Sequence, residues 1–501
     1  MFNFVRRTAA ITLMLAGGAS AAATSATPAP PHSPQQWRQA AIADIEAAYQ
    51  ITLDNHPGTH DPANPAFRNN LAKARSAGLA LAARVRNSAG YRAALQRFNT
   101  QIHDGHAGVA VGAIDQLPLR WPGFVAAWRG DGMLVYKSEP GGPPAGARID
   151  SCDGLSMTQL AERNVFAFER RIEERGHWWV YGRDVFIDKG NPFIKLPTRC
   201  RFTLNDKQTE LPLAWRPLTE QATAWRNVNY NGPTLPVGLT EPRAKLYWVS
   251  MPTFQPDERQ REAYRAMTAE VRDHRQRYLD ADAVVIDLRD NQGGSSAWSL
   301  EFAQALWGAG RVSRSINARS AQEHVWWRTS PANIAYVAEL VGLLRQEKQE
   351  SVALEIGLIA EGMQTALARG EKFYVEQDSA AESGQDGGAG KPPDDPPAFT
   401  APVYVVVPGQ CASACLDALD YFTMFPNTKL IGAPSAADST YMEVRVQDLA
   451  SGLAKVIIPN KVYVGRARAA GQFYSPAIYV NDVEWSPPVF LKAIEADLAG
   501  R

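Results

Sequence analysis

The chain of 501 residues has no charge excess, because lysine and arginine together number 52 and aspartate and glutamate together also number 52. Such a balance sets up no global field toward nucleic acid or an anionic membrane, so any partner must be recognised locally. Past the N-terminal segment no apolar run approaches the ~20 residues a membrane helix needs, which argues against a stable membrane span. There is no Cys-x-x-Cys pair among the four cysteines, Cys152, Cys200, Cys411 and Cys415, which argues against a thioredoxin-like redox site. His103 and His106 have no neighbouring Cys, Asp or His set to complete a tetrahedral site, so neither a metal nor another cofactor is expected. Internal repeats are also missing, and nothing basic marks a nucleotide pocket. What remains is a chain that is 45% hydrophobic and long enough for two or three domains, each with a core of its own.

The opening "MFNFVRRTAAITLMLAGGASAAATSA" has a basic start at Arg6 and Arg7, a short apolar stretch, and small residues for cleavage after Ala21 or Ala23. This pattern predicts a signal peptide over 1–23 and an exported protein, periplasmic or secreted. The Arg-Arg pair raises the twin-arginine route, which the flanking Val5 and Thr8 support poorly. Export makes the cysteines candidates for disulfides, and their clustering pairs Cys152 with Cys200.

A Pro-rich leader over 24–36 precedes an Ala-, Leu- and Arg-rich region with helical spacing. That region predicts a helical N-terminal domain over 37–115, ending in the turn "HDGHAGVAVG" that holds His106. Residues 116–218 read as short strands and Gly/Pro turns. Within them "PPAGARIDSCDGLSMTQL" and "CRFTLNDKQTELPLAW" resemble the turn and closing hairpin of a PDZ domain, with a helical-looking insertion between the two. From 219 to 501 apolar strands alternate with helices, which predicts α/β layers around parallel strands. An insertion over 320–400 is helical and then runs into "EQDSAAESGQDGGAGKPPDDPP", whose composition predicts a mobile segment.

Two stretches within the α/β region could carry chemistry. In "VVIDLRDNQGG" a buried strand ends before Gly293 and Gly294, where backbone N–H groups can approach a reacting oxygen or where a tight turn simply needs glycine. In "VYVVVPGQCASACLDAL" a strand leads through a turn to Ser413 at a helix start. Unsatisfied N–H groups there favour developing negative charge, and serine is equally a good N-cap. Cys411 and Cys415 read as buried apolar residues, a local disulfide, or a redox pair.

Together, "VVIDLRDNQGG", "VYVVVPGQCASACLDAL" and "KLIGAPSAADSTYMEV" resemble the C-terminal processing and tricorn-core family of serine peptidases, in its tricorn-like branch. The resemblance implies a crotonase-like α/β catalytic domain and a Ser413 nucleophile. The oxyanion would lie on the N–H groups of Gly293 or Gly294 and of Ala414. In one branch of the family the base is a lysine 25 positions after the serine, where this chain has Asp438. The tricorn-like branch uses a histidine in a turn that "IHDGHAGVAVG" resembles, which makes His106 the expected general base. Asp438 is the first choice for the acid that orients His106, with Glu443 second. Ser439 could stand in for the hydroxyl that the family places before the histidine, where this chain has Gly105. The implied activity is hydrolysis of peptide or protein substrates through a Ser413 acyl-enzyme. Two alternatives remain open at this point: a catalytically impaired relative that binds peptide or hydrophobic ligands, and a crotonase-type acyl-thioester enzyme.

Overall fold

A computed structural model describes residues 31–112, 114, 117–376 and 396–500. The expected signal peptide, residues 24–30 of the leader and most of the acidic Gly/Pro-rich stretch lie outside the described residues.

The sheet that positions the site has strands in the order Gly238–Arg243, Leu246–Ser250, Ala283–Asp287, Val403–Val407, Thr428–Gly432 and Ile478–Tyr479. Only the first pairing is antiparallel. A parallel sheet is covered on both faces, which is why "AVVID" and "VYVVV" are unbroken apolar runs, buried throughout. Successive side chains still go to opposite sides. Val284, Ile286, Val403 and Val405 pack with Phe302, Leu416 and Phe422 on one face. Val285, Tyr404 and Val406 pack with Trp485, Phe490 and Ile494 on the other. Each such burial contributes about 1.5–3 kcal/mol. The register Val284↔Val403 through Asp287↔Val406 brings the carboxyl ends of these two strands to one edge, so the turns that follow them lie side by side.

A second sheet is organised by the strand Ala454–Val464. Its first residues pair with Gly108–Val111, its last with His324–Arg328, and its other edge with Tyr441–Asp448. Helices Pro34–Asn55, Phe67–Ala82 and Ser88–Thr100 pack Ile45, Phe67, Tyr91, Leu95 and Phe98 together with Val456 and Ile458 of that strand. The first helix begins inside the sequence read as leader, because Ser33 and Gln36 form a reciprocal capping box ahead of Pro34.

Strands Phe124–Arg129, Gly132–Ser138, Arg148–Cys152, Arg199–Leu204 and Lys207–Pro212 form an antiparallel sheet. Cys152 stands directly opposite Cys200 in register and is disulfide-bonded to it, with Cα atoms 4.0 Å apart. Between these two strands the chain makes helical segments that include Arg175–Tyr181. In the 320–400 insertion, helices Pro331–Gln346 and Glu350–Ala368 form a hairpin flanked by strands His324–Arg328 and Phe373–Val375, which join the second sheet. No helix among the described residues is long and apolar enough to cross a membrane.

Candidate active site

Strand Val403–Val407 ends at the turn Pro408–Ala412, and helix Ala414–Phe422 follows. Between them Ser413 has φ 55° and ψ −129°, and its side chain makes no capping hydrogen bond. An ordinary N-cap is extended and bonds back to the helix, so capping does not explain this serine. A non-glycine residue at such dihedrals costs about 1–3 kcal/mol and persists only where its surroundings enforce it. Two restraints do so here. Cys411 and Cys415 are disulfide-bonded across Ser413 and fully buried, and the Ser413 N–H donates to Asp438 Oδ2 at 2.5 Å. The helix starts only at Ala414, so Cys411 lies before it, and the bridge does not have to close over a regular helical turn.

The neighbouring turn packs against this one. A Cβ at Gly293 would lie 2.8 Å from both Ser413 Cβ and the Ala412 oxygen, and φ there is +106°. Asn291 fixes the turn by donating to the Met251 carbonyl and accepting the Gly293 N–H at 2.9 Å. Asp287 and Arg289 form a buried ion pair at 2.7 Å, with Trp248 Nε1 also donating to Asp287. The Gly293 N–H is engaged, whereas the N–H groups of Gly294 and Ala414 have no acceptor among the described residues.

His106 is held from its backbone. Its N–H donates to Asp104 Oδ1 at 2.9 Å, and Ser439 Oγ donates to the same oxygen at 2.7 Å. His56 Nε2 lies 2.8 Å from Asp104 Oδ2. His56 Nδ1 accepts the Gly58 N–H, so in the neutral ring the proton sits on Nε2 and is donated to Asp104. Burial pushes the Asp104 carboxyl up, but the hydrogen bond and charge of His56, with His106 adding to them, outweigh it and hold Asp104 at about 2. His106 Nδ1 is buried and has no partner.

Ser413, His106, Asp438, Gly294 and Gln410 line one cavity of about 870 Å³. A smaller one of about 120 Å³ is shared by Ser413, His106 and Glu443. No hydrogen bond joins Ser413 to His106, whose closure in related chemistry commonly waits for substrate. Glu443 sits at φ +59°, an irregular position between the pairs Met442↔Lys461 and Val444↔Pro459. Burial raises its carboxyl, opposed by Lys461 at 3.8 Å.

Sequence reading gave no site role to Arg171, Glu174 or His177, which come from the segment read as an insertion. All three line the large cavity. Glu174 accepts the Ala437 N–H at 2.9 Å and pairs with Arg171 and His177. Burial pushes its carboxyl up to about 7 against the charge of Arg171. Gly176 marks the docking, since a Cβ there would meet the Gly409 and Ser435 backbones at 2.2 and 2.5 Å. In sequence this contact shows only as a glycine beside two tryptophans, too little to place it. Among the described residues no three His, Cys, Asp or Glu side chains cluster as metal ligands.

Residues 245–461 match the family model of peptidase family S41. Among solved structures the chain is similar to mature CPAF, at 12% identity over 93% of this chain and 98% of that one, with a TM-score of 0.57. It is likewise similar to mature CPAF complexed with lactacystin, at 12% identity over 93% and 99% of the two chains, with a TM-score of 0.55. At that identity the likeness is one of fold. No curated protein matches the chain by sequence. The matched segment holds both turns, Ser413 and most of the strand that pairs with Gly108–Val111, so this chain is a serine peptidase whose catalytic region is similar to peptidase family S41.

Proposed function

We propose that Ser413 Oγ attacks the scissile carbonyl of a peptide or protein substrate while His106 takes its proton. The oxyanion would rest on the N–H groups of Gly294 and Ala414, at the positive end of helix Ala414–Phe422. His106 then passes the proton to the leaving amine, and an acyl-enzyme forms on Ser413. Water, deprotonated by His106, adds to the acyl carbon, and the serine oxygen leaves with that proton. Asp438 holds the nucleophile's own amide. That leaves Glu443, across the small cavity, as the carboxyl for the unpartnered Nδ1 of His106.

The observation that carries this reading is the conformation of Ser413, which is strained, uncapped and open to a cavity shared with a histidine. A sharp strand-to-helix turn of this kind presents a nucleophile's oxygen. We further read the mostly parallel sheet as a crotonase-like catalytic domain and residues 116–218 as PDZ-like. The protein is read as exported, periplasmic or secreted, which two disulfides suit. Fluorophosphonate labelling tests the mechanism. The wild type should be labelled on Ser413, Ser413→Ala should not, and His106→Ala should label at least about 10²-fold more slowly. Undiminished labelling of Ser413→Ala would refute the assignment.

A further inference from the structure

The turn that leads into Ser413 contains a polar side chain that the reaction steps above do not use. Gln410 is only 6% exposed, and both ends of its carboxamide, Oε1 and Nε2, are buried without a hydrogen-bond partner. A buried amide in that state forfeits hydrogen bonds on both its donor and its acceptor, which native interiors rarely tolerate without a reason. Gln410 lines the large cavity together with Ser413, His106 and Gly294, so a molecule bound there lies beside the unpaired amide.

We propose that Gln410 binds the main chain of the substrate at one residue beside the scissile bond. In an extended peptide the N–H and C=O of a single residue point to the same side, as they do in paired strands. A carboxamide offers the matching acceptor and donor, and with no protein partner fixing it, the amide turns to suit. The ligand class is therefore an extended peptide recognised through its backbone, largely independent of side-chain identity. This assignment rests on Ser413 as the nucleophile, and the experiment separates the two.

Wild type and Gln410→Ala are compared in hydrolysis of labelled casein, in hydrolysis of a peptide cut from within casein, and in phosphonylation by a fluorophosphonate that has no peptide main chain. The expected result is a 10- to 100-fold loss of kcat/KM on the peptide in Gln410→Ala, with phosphonylation slowed less than about threefold. Depsipeptides that replace one N–H at a time by an ester oxygen should include one position that penalises the wild type and not the variant. Equal losses in hydrolysis and phosphonylation, no loss in hydrolysis, or no such position would each overturn the proposal. A wild type that fails to label removes the Ser413 mechanism and the Gln410 assignment with it, and this outcome is visible before any variant is made.

Discussion

Around Ser413 the backbone is held by a covalent bridge, Cys411–Cys415, and by one carboxylate, Asp438. Around His106 the restraint is a chain of buried polar side chains, His56, Asp104 and Ser439. The difference follows from what each turn must do. Ser413 adopts dihedrals that its own sequence disfavours, and a short covalent ring resists relaxation wherever the rest of the fold breathes. His106 sits in a turn that has to be attached to elements distant in sequence, and directional hydrogen bonds to a buried charge fix its position without a bond. One turn is thus sensitive to its sulfurs and the other to pH.

The largest expected effect is at the polar turn. Asp104→Ala leaves His56 and the Ser439 hydroxyl without their acceptor, and breaking a buried pair in this way should cost about 3–5 kcal/mol in denaturant unfolding at pH 7. In the wild type Asp104 is depressed from 3.8 to about 2. Its stabilisation is therefore complete above pH ~4 and lost as pH falls toward 2, a loss that Asp104→Ala should not show. At the covalent turn, the double change Cys411→Ala and Cys415→Ala should cost less stability, about 2 kcal/mol for so short a ring. It should nevertheless slow phosphonylation of Ser413 by about 10²-fold through misplacement. Equal losses at both turns on both measures would erase the contrast.

Glu174 braces Ala437, between the two turns, and tests pH from the other direction. Its carboxyl is raised from 4.5 to about 7, so the folded state is penalised progressively as pH rises through that window. Glu174→Gln should flatten the decline by about 2 kcal/mol, read from unfolding at pH 5 and pH 7. The smallest effect is that of Ser439→Ala, about 1 kcal/mol for one hydrogen bond to Asp104. Its phosphonylation rate should change less than that of the cysteine variant.

The parallel sheet and its two turns were legible in the sequence because strands buried on both faces cannot hide their composition, and because Gly293-Gly294 and Ser413 punctuate the chain where strands give way to helices. The Cys152–Cys200 bridge was legible from clustering. His56 and Asp104 were not, since a polar residue beside a Pro-Gly or Gly-His turn reads the same whether it ends in solvent or at 0 and 5% exposure. Arg171, Glu174 and His177 escaped for a related reason: only the docking of Gly176 onto Gly409 and Ser435 brings them to the cavity. The dihedrals of Ser413 leave no mark in its neighbours other than the two cysteines.

The pairing of Gly108–Val111 with Ala454–Val464 also has a consequence in time. During synthesis the segment that bears His106 emerges early, and the strand that seats it emerges only after the Ser413 turn. Contacts so distant in sequence form late. For that interval the growing chain carries the proposed nucleophile but no fixed place for its proposed base.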